Sequence, residues 1–144
     1  MIEQDLLNRT LAAVGSLPGV LAWRNNTGAL KDINGRLVRF GCKGSPDVLV
    51  IAGGRFVGIE LKTATGRQRP DQVTWQRACE AAGGVYVLAR DVDTAVAAVR
   101  GALQEFNQEL RDESDADKRA ELAEYERWRV AECAPLTGWD DWPA

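Results

Sequence analysis

Histidine is missing from this chain altogether. That absence excludes Ser-His-Asp triads, Cys-His nucleophile pairs, histidine-ligated zinc sites and nucleases with a histidine base. Any catalysis must run on carboxylates, lysine and metal. Cysteine is scarce: Cys42, Cys79 and Cys133 are odd in number, far apart and without a Cys-x-x-Cys spacing. They read as reduced, structural thiols of a cytoplasmic protein. No segment approaches ~18 consecutive apolar residues, so no membrane span is expected. Glu3 and Asp5 precede any apolar run, unlike the start of a secretory signal. No Gly-x-x-x-x-Gly-Lys phosphate loop occurs, and Gly53-Gly54 is placed as a turn rather than as a dinucleotide fingerprint.

What is present suits one domain with a real core: 144 residues, 45% hydrophobic and 27% charged. The net charge of −3 hides an asymmetry. Lys31 to Arg77 holds nine basic residues against four acidic ones, a local balance of +5, whereas Glu105 to the end carries twelve acids and five bases, a balance of −7. Binding of a polyanion follows the local field, so the basic centre counts for more than the total.

The stretch SPDVLVIAGGRFVGIELK, Ser45 to Lys62, reads as a hairpin. Asp47 to Ala52 is one apolar strand, and Arg55 to Lys62 is the other, with Val57, Ile59 and Leu61 on one face. Gly53-Gly54 suits a primed two-residue turn. That turn pairs Ala52 with Arg55 and, followed to the open end, sets Asp47 opposite Glu60. Opposed residues share a face with Cβ atoms roughly 4.5–5.5 Å apart. Lys62, two residues past Glu60, shares it. Two like charges directly opposed are destabilising, and a divalent cation would offset that cost. The plainer alternative is a pair of solvated strand-end acids, one of them bridged by Lys62.

Elsewhere, Ile2 to Leu17 has helical spacing of Leu7, Leu11 and Val14. Glu3 lies on that stripe, either frayed into solvent or aimed at a site. Strands are expected at Val20 to Arg24, Leu37 to Phe40 (after an Asn34-Gly35 turn) and Val85 to Ala89, with Asn25 to Gly28 a loop. A helix is expected from Asp71 to Ala82, with Pro70 in the first-turn position, and another from Val92 to Leu103. Gln72 and Gln76 share a stripe with Trp75 and Cys79, and either bond loop backbone or serve a site. Glu105 to Asp117 either extends the preceding helix or forms a linker. Lys118 to Ala131 reads as helical, and Trp139 and Trp142 lie in an acidic tail. The order gives an α/β fold, a small mixed sheet flanked by helices.

Taken together, Glu3, the PD of Pro46-Asp47, the ELK of Glu60-Leu61-Lys62 and the PDQ of Pro70 to Gln72 resemble the PD-(D/E)XK nuclease superfamily. WRNNTGA, GCKGSPDVLVI, GIELKTATGRQRPDQ and AAGGVYVLARDVDTAV resemble more closely its VRR-NUC family, in the small stand-alone form carried by phages. The likeness covers roughly residues 1–103, implying a restriction-endonuclease-like nuclease domain there and an acidic, partly helical C-terminal extension over residues 104–144. It implies Mg²⁺ or Mn²⁺ held by Asp47, Glu60 and the Leu61 carbonyl, with Glu3 a further candidate. Lys62 would position or activate the attacking water, and Gln72 would contact the water, Lys62 or the scissile phosphate. Arg39, Lys43, Arg67, Arg69 and Gln76 are the candidate DNA contacts. The expected function is metal-dependent endonuclease action on branched DNA such as a four-way junction, by a homodimer, in the host cytoplasm if phage-encoded. The alternatives are an inactive DNA-binding module, and a partner-binding protein working through its acidic tail with Trp128, Trp139 and Trp142.

Overall fold

The computed structural model describes residues 3–112 and 116–132. In chain order the elements are α1 (Glu3–Gly15), β1 (Val20–Arg24), β2 (Gly28–Lys31), β3 (Leu37–Phe40), β4 (Val48–Ala52), β5 (Arg55–Leu61), α2 (Pro70–Ala81), β6 (Val85–Ala89), α3 (Val92–Asp112) and α4 (Ala116–Glu132). Four strands form a mixed sheet in the order β1-β4-β5-β6, antiparallel except for the β5–β6 pair. β2 and β3 form a separate antiparallel ribbon. Cys133, Trp139 and Trp142 lie outside the described residues.

The hairpin forms because the turn residues permit it. Gly53 and Gly54 have φ of 56° and 80°, the left-handed values that a type I′ turn demands at both central positions. Ala52 then pairs with Arg55, and the ladder runs in register to Val48 opposite Ile59. It stops one residue short of the expected strand start at Asp47, for a chemical reason. The next hydrogen-bonded couple would be Pro46 with Leu61, but proline has no N–H. The Pro46 carbonyl is taken by Asn25 Nδ2 at 2.8 Å. The orphaned Leu61 N–H therefore donates to Asp47 Oδ2, also at 2.8 Å.

Alternation along β4 and β5 sorts the two faces of the sheet. Val48, Val50, Ala52, Val57, Ile59 and Leu61 are buried against Leu6, Leu7, Leu11 and Val14 of α1 and Ala95, Val99 and Ala102 of α3. The other face carries Glu60, Gly58 and Phe56 under α2, whose Trp75 ring lies 5.9 Å from Phe56 and 6.0 Å from Tyr86. Gly58 is required there, since a Cβ would stand 2.8 Å from the Pro46 ring.

The structure adds one element, decides one alternative and corrects one reading. β2 takes the last residue of the expected Asn25 to Gly28 loop and residues 29–31, to which the sequence assigns no element; all four of its residues are exposed, so burial leaves no pattern to read. α3 runs on to Asp112, taking the helical alternative for the segment after Leu103. Its added turns dock on the closed end of the hairpin: Phe106 lies against Gly53, and Arg55 pairs with Glu105 and, at 3.6 Å, with Glu109. Cys42, read as a structural cysteine, is exposed on the loop after β3, whereas Cys79 is buried. No helix among the described residues is long and apolar enough to cross a membrane.

The two turn glycines separate strain from clash. At Gly54 a Cβ meets nothing within 4 Å, so Gly54→Ala should cost only the left-handed backbone penalty, about 1–2 kcal/mol. At Gly53 a Cβ would stand 2.5 Å from the Phe106 ring, so Gly53→Ala should cost at least ~1 kcal/mol more. Urea unfolding of both variants checks the order.

Candidate active site

Glu60 is the only acid among the described residues that is fully buried, at 0% exposure. β5 puts it there: the strand is flanked on both edges, and α2 covers the face from which the side chain projects. One oxygen, Oε1, is held twice, by Lys62 Nζ at 2.5 Å and by a short hydrogen bond from Gln72 Nε2. The other, Oε2, is buried and has no partner among the described residues. A buried carboxylate oxygen without a donor is costly, and sites that tolerate one commonly serve an ion or a reaction.

Asp47 stands beside it. Continued one step past Val48 and Ile59, the register sets Asp47 opposite Glu60 at a position without ladder bonds, where side chains approach most closely. The neighbourhood is felt in the titration. Burial pushes the Glu60 carboxyl above the usual glutamate range, the Lys62 hydrogen bond opposes that shift, and the Asp47 charge adds to it. Asp47 is half-buried rather than solvated. Its place is fixed by the Leu61 N–H and by Asn25, whose N–H donates to the Asp47 carbonyl at 2.9 Å. In an extended strand the N–H and C=O of one residue face the same side, so the Leu61 carbonyl opens toward Asp47.

Gln72 is 4% exposed and works at both ends of its amide. Its Nε2 reaches Glu60, and its Oε1 accepts the Arg69 N–H at 2.8 Å, which caps α2. The first turn of α2 and the carboxylate are thereby one unit. Gln76 lies a turn further on, accepting from Gln68 and donating to Glu80, both at 2.9 Å. Gln68 also donates to the Tyr86 hydroxyl at 3.3 Å, and burial holds that phenol up to about 12.

The structure thus brings together Asp47, Glu60, Leu61, Lys62 and Gln72. Glu3 begins α1, but its side chain lies outside the described residues. Arg39, Lys43 and Arg69 share the wall of one cleft of about 790 Å³ between the β2–β3 ribbon and the first turn of α2. Arg67 is exposed on the loop after β5 and is not on that wall. Two residues had no role in the sequence reading. Asn25 fixes Ser45 and Pro46 through Nδ2, at 2.6 and 2.8 Å. Arg90 holds the loop after Lys62 by donating to the carbonyls of Thr63 and, at 2.9 Å, Gly66. An asparagine just past a strand and an arginine just past another were the available signals, and both are common at loops.

Two carboxylates and one carbonyl suit a cation that keeps most of its waters, as Mg²⁺ does. Among the described residues no three His, Cys, Asp or Glu side chains cluster as a closed cage. Comparison with protein-family models, with curated proteins and with solved structures finds no match to this chain.

The raised Glu60 pKa gives a stability test with a definite sign. The folded chain binds this proton more tightly than the unfolded chain does. Stability from this site is therefore full below the ordinary glutamate value of 4.5 and is lost as pH rises through the folded value. In EDTA, Glu60→Gln should melt above the wild type at pH 8, with the gap closing toward pH 4. Thermal melts across that range check it; a gap that stays constant would mean that the burial penalty is not the cause.

Proposed function

We propose that the chain is a metal-dependent DNA endonuclease with a restriction-endonuclease-like core of the VRR-NUC type. The observation that carries this reading is the buried Glu60 carboxylate, with one oxygen tied to Lys62 and Gln72, the other unpartnered, and Asp47 alongside. A binding surface for phosphate has no use for two acids brought together at the cost of burying one.

Asp47, Glu60 and the Leu61 carbonyl are the residues that would hold Mg²⁺ or Mn²⁺, and Glu3 is a further candidate. Such an ion supplies a Lewis acid for the phosphate and an acidified water. The chain's own groups do the rest. Lys62, 14% exposed and 2.5 Å from Glu60, is a fixed cation beside the reacting phosphate, where it orients the attacking water and balances the charge that builds on the phosphate oxygens. Gln72 keeps the Glu60 carboxylate in one orientation and links it to the capped start of α2. Arg39, Lys43 and Arg69 attract the DNA backbone. Branched DNA such as a four-way junction is the proposed substrate, and a homodimer the proposed assembly, because paired nicks on two strands follow directly from a two-fold axis. An inactive binding module is the second reading: the closed Lys62–Glu60 pair is also what a site that only stores charge would show.

Cleavage of labelled linear and four-way junction DNA with Mg²⁺, Mn²⁺ or EDTA decides between them. The expected result is metal-dependent cutting, reduced at least ~100-fold in Asp47→Ala and in Glu60→Ala, with the fold and most DNA affinity kept. Wild-type rates in either variant would remove the site assignment. Lys62→Ala should lose turnover while keeping Mn²⁺ binding, since a protonated lysine cannot ligate a metal. Light scattering at micromolar concentration, with and without junction DNA, should give a dimer; a monomer that still makes paired nicks would remove the assembly.

A further inference from the structure

The cleft between the ribbon and α2 has a size, a charge and a surface that speak to what enters it. Its volume is about 790 Å³, within the range of roughly 300–1,000 Å³ that encloses one small ligand. One or two nucleotides of a single strand fit within it. The wall carries three cations and one acid, and the acid, Asp71, is paired with Arg69 at 3.3 Å. Arg39 and Lys43 are exposed and have no ion-pair partner among the described residues, so the cleft keeps a surplus of positive charge.

Phe40 adds a flat apolar surface. It is 40% exposed, and its ring lies across Gly28, where a Cβ would come within 2.8 Å of the ring edge. The floor is rigid. Gly41 and Gly44, with φ of 71° and 83°, bracket Lys43 and press against the backbone of Asn26 and Asp71 respectively. A positive groove with an exposed aromatic ring is how proteins hold single-stranded nucleic acid: the charges follow the backbone and the ring stacks on a base. The cleft also abuts the candidate active site through one helical turn, because Arg69 and Asp71 line it while Gln72 reaches Glu60.

We infer that this cleft seats an unpaired DNA strand, so that among branched substrates one with a single-stranded arm next to the bond that is cut is preferred to a fully paired four-way junction. The inference rests on the endonuclease reading for its role in cleavage, but strand binding is measurable without any cleavage. Fluorescence anisotropy in EDTA, with a labelled oligothymidine of about 12 nucleotides and a hairpin duplex of similar charge, makes that separation. The single strand should bind at least ~10-fold more tightly than the duplex. Phe40→Ala should weaken single-strand binding ~10-fold, the loss of one base–aromatic stack, while Phe40→Tyr keeps it. Arg39→Ala and Lys43→Ala should each lower the slope of log affinity against log salt by roughly 0.7, whereas Phe40→Ala should leave that slope in place.

Circular dichroism and melting of each variant establish that it is folded before binding is compared. Equal or tighter duplex binding, or full single-strand affinity in folded Phe40→Ala, would overturn the inference. The cleavage assay separates the two readings. If the wild type cuts in Mn²⁺ and Glu60→Gln does not, yet a branched duplex with an unpaired arm is cut no faster than a fully paired four-way junction, the cleft assignment fails and the endonuclease reading stands. If nothing is cut but the anisotropy pattern holds, the endonuclease reading fails and the cleft remains a single-strand binding site.

Discussion

Burying Glu60 is the constraint around which the rest of this structure is arranged. A carboxylate on the central strand of a sheet, covered by a helix, must have donors, and each donor has its own placement requirement. Lys62 meets its requirement by lying two residues further along the same side of the chain, just past the end of β5. Gln72 meets it only if α2 begins where it does, which is why Pro70 opens the helix and the Arg69 N–H is capped by the same side chain. Gly58 leaves room for the Pro46 ring, and Asn25 takes the carbonyl that the interrupted ladder leaves behind. One charged group thus sets conditions on β1, β4, β5 and α2.

The charge asymmetry of the chain has a structural counterpart. Arg39 and Lys43, from the basic middle, stand on the ribbon and the loop behind it, within reach of the first turn of α2. The acidic stretch that follows contributes Glu105 and Glu109, which engage Arg55 at the opposite, closed end of the hairpin. The hairpin therefore separates the two signs along its length. At its open end the first turn of α2 joins the acids to the basic cleft, Gln72 reaching Glu60 while Arg69 lines the cleft; at its closed end a base is neutralised by α3.

Much of this was legible in the sequence because it rests on short-range rules. Gly53-Gly54 can form one kind of tight turn, that turn fixes a register, and the register alone brings Asp47 to Glu60 and Lys62. β1, β3 and β6 were found at their observed bounds because alternation or apolar runs mark them. What the local patterns leave out or leave open has physical reasons too. β2 has no buried residue, so its pairing with β3 depends on backbone bonds and on the Asp32 side chain, which accepts the N–H groups of Asn34 and Arg36. The length of α3 depends on what Phe106 and Glu105 find at the hairpin turn, a long-range contact that no local pattern contains. Arg90 serves as a clamp only because the parallel β5–β6 pairing carries it to the loop after Lys62.

That parallel pairing has a consequence for dynamics. β5 has hydrogen-bonded neighbours on both edges, a packed core on one face and a helix on the other, whereas the β2–β3 ribbon is bonded on one edge of each strand and exposed throughout. Amide hydrogens in such a central strand exchange with solvent only when the whole domain opens, while those of an exposed ribbon exchange by local fraying. Protection should therefore rise in steps from the ribbon, through the loop that carries Lys43, to Ile59 and Leu61 on either side of Glu60. The chain keeps its most compliant backbone in the exposed ribbon and its least compliant backbone under the Glu60 carboxylate, a gradient of rigidity that ends at the one fully buried acid among the described residues.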